Sequence, residues 1–273
     1  MPKRISSAVL TDFWKSIHKA HGFDFSDYSE DSIKRRVTHF MIGKKIPDLE
    51  HLEAKLLASE PLFEEFVQEM SVTVTEMFRD QIFFKALREK VIPRLATYPF
   101  IKIWLAGCAT GEEAYSIAIL LHEAGLSNRS LIYATDINQR SLQIAKEGVY
   151  SKEKMDAATH HYTSSGGAGN FEQYCQSKYN SAIFNKSLKQ NIVFSPHNLA
   201  VDGSFNEFQL ILCRNVLIYF KQNLQNKVIN LFYDSLCHFG FLALGNKETL
   251  LFCDRNKFFE EVDRKEKIYL KTR

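Results

Sequence analysis

The sequence lacks the features that mark secreted, membrane-spanning and metal-binding chains. Its five cysteines lie far apart without a CxxC pair, which argues against disulfides or zinc and favours buried thiols in a reducing compartment. No apolar run approaches the roughly 18 residues of a spanning helix, and Asp12 and Lys15 interrupt the first apolar stretch. A net charge of +3 does not by itself indicate nucleic acid. We expect a cytoplasmic protein with no metal, no signal peptide and no inserted membrane segment.

Two common phosphate-binding patterns are missing from the glycine turn that follows a strand-like run. The segment "WLAGCATGEEAYSIAI", residues 104–119, contains neither G-x-G-x-x-G nor Gly-Lys-Ser/Thr. Glu112 and Glu113 stand where a phosphate loop carries lysine, and two carboxylates would repel a pyrophosphate. Acidic residues are also favoured in any first helical turn by the helix dipole. The turn alone leaves a ligand site and a plain helix start both open.

The apolar pattern divides the chain into two regions. Through the first hundred residues apolar side chains recur at helical spacing, as in "AVLTDFWKSIHKAHG" and "DSIKRRVTHFMIGKK". From residue 100 short apolar runs alternate with helical segments, which predicts a mostly parallel sheet covered on both faces. Between residues 150 and 190 this alternation lapses for longer than a simple connection requires. We predict a helical domain at 1–88 and an α/β domain at 89–273, with an insertion at about 150–190.

Asp136 favours a ligand site at the turn. It ends the next strand-like run, "LIYATD", about 25 residues further on, where nucleotide-binding α/β folds carry an acidic residue that binds ribose hydroxyls. A ribose without phosphate, beside carboxylates, suggests a cationic nucleoside. S-adenosylmethionine has an adenosine, a sulfonium and an ammonium group. We therefore predict it as the cofactor, with S-adenosylhomocysteine as the product.

Further motifs carry a family resemblance. "TVTEMFRD", "AGCATGEEAYSIAI", "ATDI", "NLA", "ILCRNVLIYF" and "LGNKETL" occur in an order and spacing that resemble CheR-type chemotaxis receptor methyltransferases. The resemblance covers nearly the whole chain. It implies a small all-helical N-terminal domain, then a class I methyltransferase domain with a Rossmann-like, mostly parallel seven-stranded sheet and a small inserted β-subdomain. It also implies methyl transfer to glutamate side chains on the cytoplasmic helices of chemoreceptors, in the adaptation of bacterial chemotaxis.

The resemblance implies a site residue by residue. Arg79 and Tyr219 hold the substrate carboxylate, which is chemically reasonable because guanidinium and phenol groups both donate hydrogen bonds. Glu113, with Glu112 as second choice, faces the cation of the cofactor, and Asp136 binds the ribose. The other implied cofactor positions are Thr73, Thr75, Arg79, Ala106, Gly107, Ile137, Asn198, Leu199, Asn215 and Val216. Without the other motifs, "TVTEMFRD" would predict a helix start capped by Thr75.

The implied reaction needs no general base. A glutamate carboxyl with a pKa of about 4.3 is already ionised at neutral pH. Catalysis then depends on alignment and on the placement of charge. This is consistent with a sequence in which no Ser/His/Asp or Cys/His arrangement stands out.

A basic stretch suggests a partner surface. "SIKRRVTHFMIGKK" concentrates positive charge on one predicted helix, and such a run is usually a solvated face. The alternative, favoured by the family's N-terminal domain, is a face that docks the acidic methylation helices of a chemoreceptor. An RNA-binding face would need interleaved stacking aromatics, which this stretch lacks. The implied docking residues are Lys34, Arg35, Arg36 and Arg214.

The sequence argues against two other functions, and we expect no nucleic-acid partner. A nucleic-acid methyltransferase of this fold would carry NPPY or DPPY after the fourth strand, where "CRNVLIYF" stands. A non-enzymatic sensor of the cofactor would have no use for Arg79 and Tyr219. In some family members the β-subdomain binds a receptor tail as an added strand, and the sequence leaves open whether it does so here. Nothing in the sequence demands more than a monomer.

Overall fold

The computed structural model describes residues 5–273, which divide into two compact units. Of these residues the first unit comprises 5–72 and Ile218–Lys227, and the second comprises Thr73–Leu217 and Val228–Arg273. None of the helices within 5–273 is long and apolar enough to cross a membrane.

The first unit is helical, as the apolar spacing predicts. Helix α1 begins after Ser6, whose side chain accepts the Val9 N–H, and ends at Gly22 with a φ of 75°. Phe13 contacts Trp14 and Phe66 edge to face in the core, with ring centroids 4.8 and 6.0 Å apart. Its helices before residue 72 are α1 (Ser7–His21), α2 (Glu30–Gly43), α3 (Leu49–Ala58) and α4 (Glu60–Met70).

The second unit starts with a helical run and continues with strands and helices. Helix α5 (Gln81–Ala86) passes through a π-helical turn, Leu87–Val91, into α6 (Ile92–Leu95). The strands are β1 (Ile101–Ala106), β2 (Ser130–Asp136), β3 (Val149–Ser151), β4 (Cys175–Lys178), β5 (Ser181–Phe184), β6 (Ile192–Pro196), β7 (Phe208–Cys213), β8 (Leu236–Leu244), β9 (Phe259–Asp263) and β10 (Ile268–Lys271). The helices that follow α6 along the chain are α7 (Glu112–Glu123), α8 (Gln139–Glu147), α9 (Lys152–Ser164), α10 (Lys186–Lys189) and α11 (Gln222–Ser235). The part of α11 up to Lys227 belongs to the first unit.

Seven strands form one sheet in the order β6-β2-β1-β7-β8-β10-β9. The first five of these pair in parallel, and β10 pairs antiparallel with both β8 and β9. Strand β1 is buried along almost its whole length, as expected for a parallel strand covered on both faces. The mostly parallel seven-stranded sheet predicted from the sequence is confirmed. Because parallel strands end at one edge, the segments after β1, β2, β6, β7 and β8 meet there.

A second, antiparallel sheet lies where the alternation of strands and helices lapses. Its three strands have the order β3-β5-β4. Helix α9 connects β3 to the rest of this insertion, and the Tyr162 hydroxyl donates a hydrogen bond to Glu123 at the end of α7. The expected small β-subdomain is therefore present.

The division between the units falls at Val72 and Thr73, ahead of the boundary predicted at residues 88 and 89. Residues 73–88 group with the sheet because Phe78, Phe83 and Phe84 are each at most 1% exposed in its core. Helical periodicity shows which face of a segment is buried, and gives no information on which domain covers that face.

Candidate active site

The glycine turn after β1 is fastened to the end of β2. The N–H groups of Gly107 and Cys108 both donate to the Thr135 carbonyl, at 2.8 and 2.9 Å. Gly107 has a φ of 83°, a left-handed conformation that glycine adopts without strain. A Cβ atom at Gly107 would lie 2.4 Å from Cγ2 of Val216, which follows β7. Glycine is therefore required both by the backbone conformation and by the close approach of Val216.

Asp136, at the end of β2, lies beside this turn. Its Oδ2 accepts the Ala109 N–H at 2.8 Å, and its Oδ1 accepts the Asn138 N–H at 2.9 Å. Each carboxylate oxygen has a further lone pair, so Asp136 can also accept hydrogen bonds from the hydroxyls of a ligand. Burial raises the pKa of Asp136. The neighbouring Ile137 is half-buried.

The two carboxylates at the start of α7 have different surroundings. Glu112 is 1% exposed, accepts the Thr110 hydroxyl at 2.6 Å and pairs with Lys154 at 2.5 Å. The side chain of Glu113 is 16% exposed, and its Oε1 lies 2.7 Å from Nη1 of Arg214. The charge of Glu112 is therefore already balanced by the lysine of α9, on the side of the β-subdomain.

Arg214, which follows β7, joins two other segments. Its side chain is 3% exposed, with Nη2 2.6 Å from Oδ2 of Asp80 and Nη1 on Glu113. The guanidinium carbon lies 3.8 Å from the centroid of Phe83. The family resemblance implies that Arg214 helps to dock the acidic substrate helix, but a buried guanidinium paired with two carboxylates presents little charge to a partner. It instead connects the loop before α5 to the start of α7.

Arg79 lies in a strained loop. Residues 71–80 are not helical and α5 begins only at Gln81, so the helix start capped by Thr75 is not observed. Phe78 and Asp80, on either side of Arg79, have φ values of 50° and 59°, which are unfavourable for residues other than glycine. The Ser116 hydroxyl accepts the Phe78 N–H at 2.9 Å, and Arg214 holds Asp80.

The side chains in this loop are only partly covered. Arg79 is half-buried, as are Thr73 and Thr75 before it. Met77 and Phe78, between Thr75 and Arg79 in the sequence, are buried, 4% and 0% exposed. The loop is thus anchored by its apolar residues, and its predicted functional residues keep some exposure.

The segment after β6 lies beside the end of β2. The His197 N–H donates to the Asp136 carbonyl at 3.2 Å, which continues the pairing of the two strands. Oδ1 of Asn198 accepts the Ala200 N–H at 3.0 Å, and Leu199 is 8% exposed. Asn198 and Leu199 therefore lie along the same sheet edge as Asp136.

Glu248, after β8, is a site residue whose role was not predicted from the sequence. It is 4% exposed, and its carboxylate accepts the N–H groups of Asn215 at 3.1 Å, Val216 at 2.9 Å and Gly245 at 2.6 Å. Asn215 has a left-handed φ of 60°. The motif "LGNKETL" contributed to the family resemblance, but one glutamate after a strand does not predict which amides it binds.

Tyr219 and Arg36 belong to the first unit, whereas Arg79 belongs to the second. Nη1 of Arg36 donates to the carbonyls of Glu69 and Ser71, at 3.0 and 2.8 Å. The Arg36 guanidinium carbon lies 6.0 Å from the centroid of the Tyr219 ring, and desolvation lowers the Arg36 pKa. The pairing of Arg79 with Tyr219 stays a prediction.

The other two basic residues of α2 differ in their surroundings. Lys34 pairs with Glu30 at 2.6 Å, whereas Arg35 is exposed. An exposed ion pair between residues four apart on a helix contributes little to stability. The positive charge that this helix offers to a partner is therefore concentrated at Arg35.

The fold and this edge define a class of protein. The sheet is mostly parallel with an antiparallel strand pair at one end, the turn after β1 has no room for a Cβ at Gly107, and an acidic residue ends β2. This is the arrangement of a class I S-adenosylmethionine-dependent methyltransferase. Carboxylates suit both the ribose hydroxyls and the positive charges of this cofactor. Within residues 5–273 no group of three or more His, Cys, Asp or Glu side chains is placed to hold a metal ion.

Comparison with known proteins gives the family. The model "CheR methyltransferase, SAM binding domain" matches residues 73–268, and "CheR methyltransferase, all-alpha domain" matches residues 10–71. Cher3 of Pseudomonas putida is 43% identical over 258 residues, which are 94% of this chain and 94% of that protein. A chemotaxis protein methyltransferase of Listeria innocua is 30% identical over 249 residues, 88% of this chain and 89% of that protein. The chain belongs to the CheR methyltransferase family and uses S-adenosylmethionine, so both predictions are confirmed.

Proposed function

We propose that the chain is a cytoplasmic protein-glutamate O-methyltransferase that modifies glutamate side chains on the cytoplasmic helices of chemoreceptors. Membership of the CheR family and the description of its Listeria relatives as chemotaxis protein methyltransferases support this proposal. The observation that carries it is the strained loop around Arg79, which is anchored to the buried Arg214. Backbone strain of this kind persists where surrounding contacts enforce it, and it concentrates at functional sites.

Arg79 binds the substrate carboxylate in this proposal. A guanidinium can donate two parallel hydrogen bonds to a carboxylate, which fixes the orientation of the attacking group. The glutamate is ionised at neutral pH, so the protein has no proton to remove from it. S-adenosylmethionine supplies the methyl group when it is bound. Tyr219 is proposed as a second donor to the carboxylate, on the family resemblance alone.

The proposed cofactor contacts fall into two groups, one at the adenosine end and one at the methionine end of S-adenosylmethionine. Asp136 binds the ribose hydroxyls, and Ile137, Asn198 and Leu199 lie beside the adenine. Glu113 faces the positive charge of the methionine end, because its side chain is 16% exposed whereas that of Glu112 is 1% exposed; each of the two also pairs with a basic side chain. The other contacts proposed on the methionine side are Thr73, Thr75, Ala106, Gly107, Asn215 and Val216.

The helical unit is proposed as the part that docks the receptor. Exposed positive charge speeds the encounter with an acidic helix. We propose Arg35 as its main contact, since Lys34 and Arg36 have partners within the unit. Arg214 is reassigned from docking to holding the Arg79 loop. We propose that the chain acts as a monomer, since one copy is enough to modify one receptor site.

Substitution of Arg79 tests this function. Arg79→Ala should lower turnover with a receptor cytoplasmic fragment by about 100-fold or more, because the substrate carboxylate loses its charged donor. The dissociation constant of S-adenosylhomocysteine, measured by calorimetry, should change much less. Arg264→Ala removes an exposed arginine of the same unit and should leave both quantities at the wild-type value. Equal losses of cofactor affinity and turnover would assign Arg79 to the cofactor and contradict the proposal.

A further inference from the structure

We propose that Glu248 is a positioning residue for the cofactor. This rests on the proposed placement of Asn215 and Val216 at the methionine end. Glu248 itself lies in the loop after β8, whereas Asn215 and Val216 lie in the loop after β7, the neighbouring strand of the sheet. One buried carboxylate therefore sets the backbone of a segment that belongs to another strand.

Glu248 and the three backbone N–H groups that it binds, those of Asn215, Val216 and Gly245, are here called the clamp. The clamp requires a carboxylate. Oε2 of Glu248 accepts the N–H groups of Asn215 and Gly245, and Oε1 accepts the Val216 N–H. An ionised carboxylate only accepts hydrogen bonds, so both oxygens can serve three donors. A glutamine has only one accepting oxygen. Its NH2 group would therefore face at least one of these backbone N–H groups, donor against donor. Hydrogen bonds to a charged group are also stronger than neutral ones.

The clamp acts on a backbone that would otherwise relax. Asn215 has a φ of 60°, a conformation that non-glycine residues adopt only where contacts enforce it. Gly245 leaves the necessary room, because a Cβ there would lie 2.8 Å from both the Asn215 nitrogen and Oε2 of Glu248. The Glu248 N–H in turn donates to the Gly245 carbonyl at 2.9 Å, which closes the loop after β8.

The consequence reaches the glycine turn through Val216. The position of its Cγ2 against Gly107 depends on the backbone that Glu248 holds. Loss of the clamp lets the loop after β7 move away from the turn after β1, and the cofactor-binding edge loses its shape. Glu248 thus influences cofactor affinity without touching the cofactor.

The test measures binding of S-adenosylhomocysteine by calorimetry, with no methyl acceptor present. Glu248→Gln should raise the dissociation constant about 10- to 100-fold, the loss expected when charged hydrogen bonds are broken. Gly245→Ala should raise it as well, because the added methyl group disturbs the same carboxylate from the other side. The controls Glu261→Gln, on the exposed face of β9, and Gly203→Ala, at an open position, should leave it unchanged.

A double variant separates positioning from a general loss of stability. If Glu248 acts through Val216, the effects of Glu248→Gln and Val216→Ala on the dissociation constant will be clearly less than multiplicative. Fully multiplicative effects, or a dissociation constant in both Glu248→Gln and Gly245→Ala equal to that of the controls, would overturn the proposal. If Glu248→Gln does not fold, Gly245→Ala decides alone. Because the assay contains no methyl acceptor, its result does not depend on which residue the enzyme methylates.

Discussion

Gly107→Ala perturbs the site by a single methyl group, and its cost can be worked from the structure. The new Cβ would lie 2.4 Å from Cγ2 of Val216, well inside the contact distance of about 3.5–4.0 Å between carbon atoms. Overpacking of this kind costs about 1–3 kcal/mol. The φ of 83° adds about 1–2 kcal/mol for a residue with a side chain. The free energy of unfolding should therefore fall by about 2–5 kcal/mol.

Thermal unfolding followed by calorimetry measures this loss. For a unit of this size each kcal/mol corresponds to a shift of about 2–4 °C, so the melting temperature should drop by about 4–20 °C. Gly203→Ala is the control, because nothing lies within 4 Å of its added methyl group and its φ is not in the left-handed region. It should leave the melting temperature unchanged or raise it slightly.

The double variant Gly107→Ala/Val216→Ala separates the two costs. Removing Cγ2 leaves the Val216 Cβ, at 3.5 Å, as an ordinary contact, so the overpacking is relieved while the backbone strain stays. The double variant should therefore melt above the Gly107→Ala single variant. The reasoning is refuted if Gly107→Ala melts like the control, or if the second substitution lowers the melting temperature further by its full single-variant amount.

Two further predictions concern charge at this edge. Arg214→Lys keeps one positive charge but cannot contact Asp80 and Glu113 with separate nitrogens, so turnover should fall about 10-fold or more; wild-type turnover in single-turnover assays would contradict this. Burial raises the pKa of Asp136, so as pH falls through that raised pKa the carboxylate gains a proton and accepts fewer ribose hydroxyls. The S-adenosylhomocysteine affinity of the wild type, relative to Asp136→Asn measured in parallel, should therefore decline toward acid pH, and a constant ratio would exclude the ribose role.

Local patterns in the sequence predicted the fold well. Apolar runs ending in glycine or aspartate predicted β1 and β2, and their parallel pairing then followed from the helix between them. The glycine turn and Asp136 were also predicted to lie together, because parallel strands end at one edge of a sheet. The structure joins them directly through the Ala109 N–H.

Long-range pairing could not be predicted in the same way. Sequence spacing does not show that Arg214 contacts Asp80, 134 positions away, or that Glu248 holds amides 32 and 33 positions before it. The domain boundary was placed late for a related reason, since the aromatic residues after Thr73 are apolar at helical spacing whichever unit covers them. Charge patterns predict that a residue is functional more readily than they predict its partner.

The central claim is the formation of a glutamyl methyl ester, and it can be measured directly. The chain would be incubated with S-adenosylmethionine labelled in its methyl group and with membranes that carry the organism's chemoreceptors. The labelled receptor band would then be treated with mild alkali. Release of the label as volatile methanol is the predicted result, because a carboxyl methyl ester hydrolyses under these conditions. Label that stays on the protein after alkali, or no label from a chain that binds the cofactor, would contradict the proposed function.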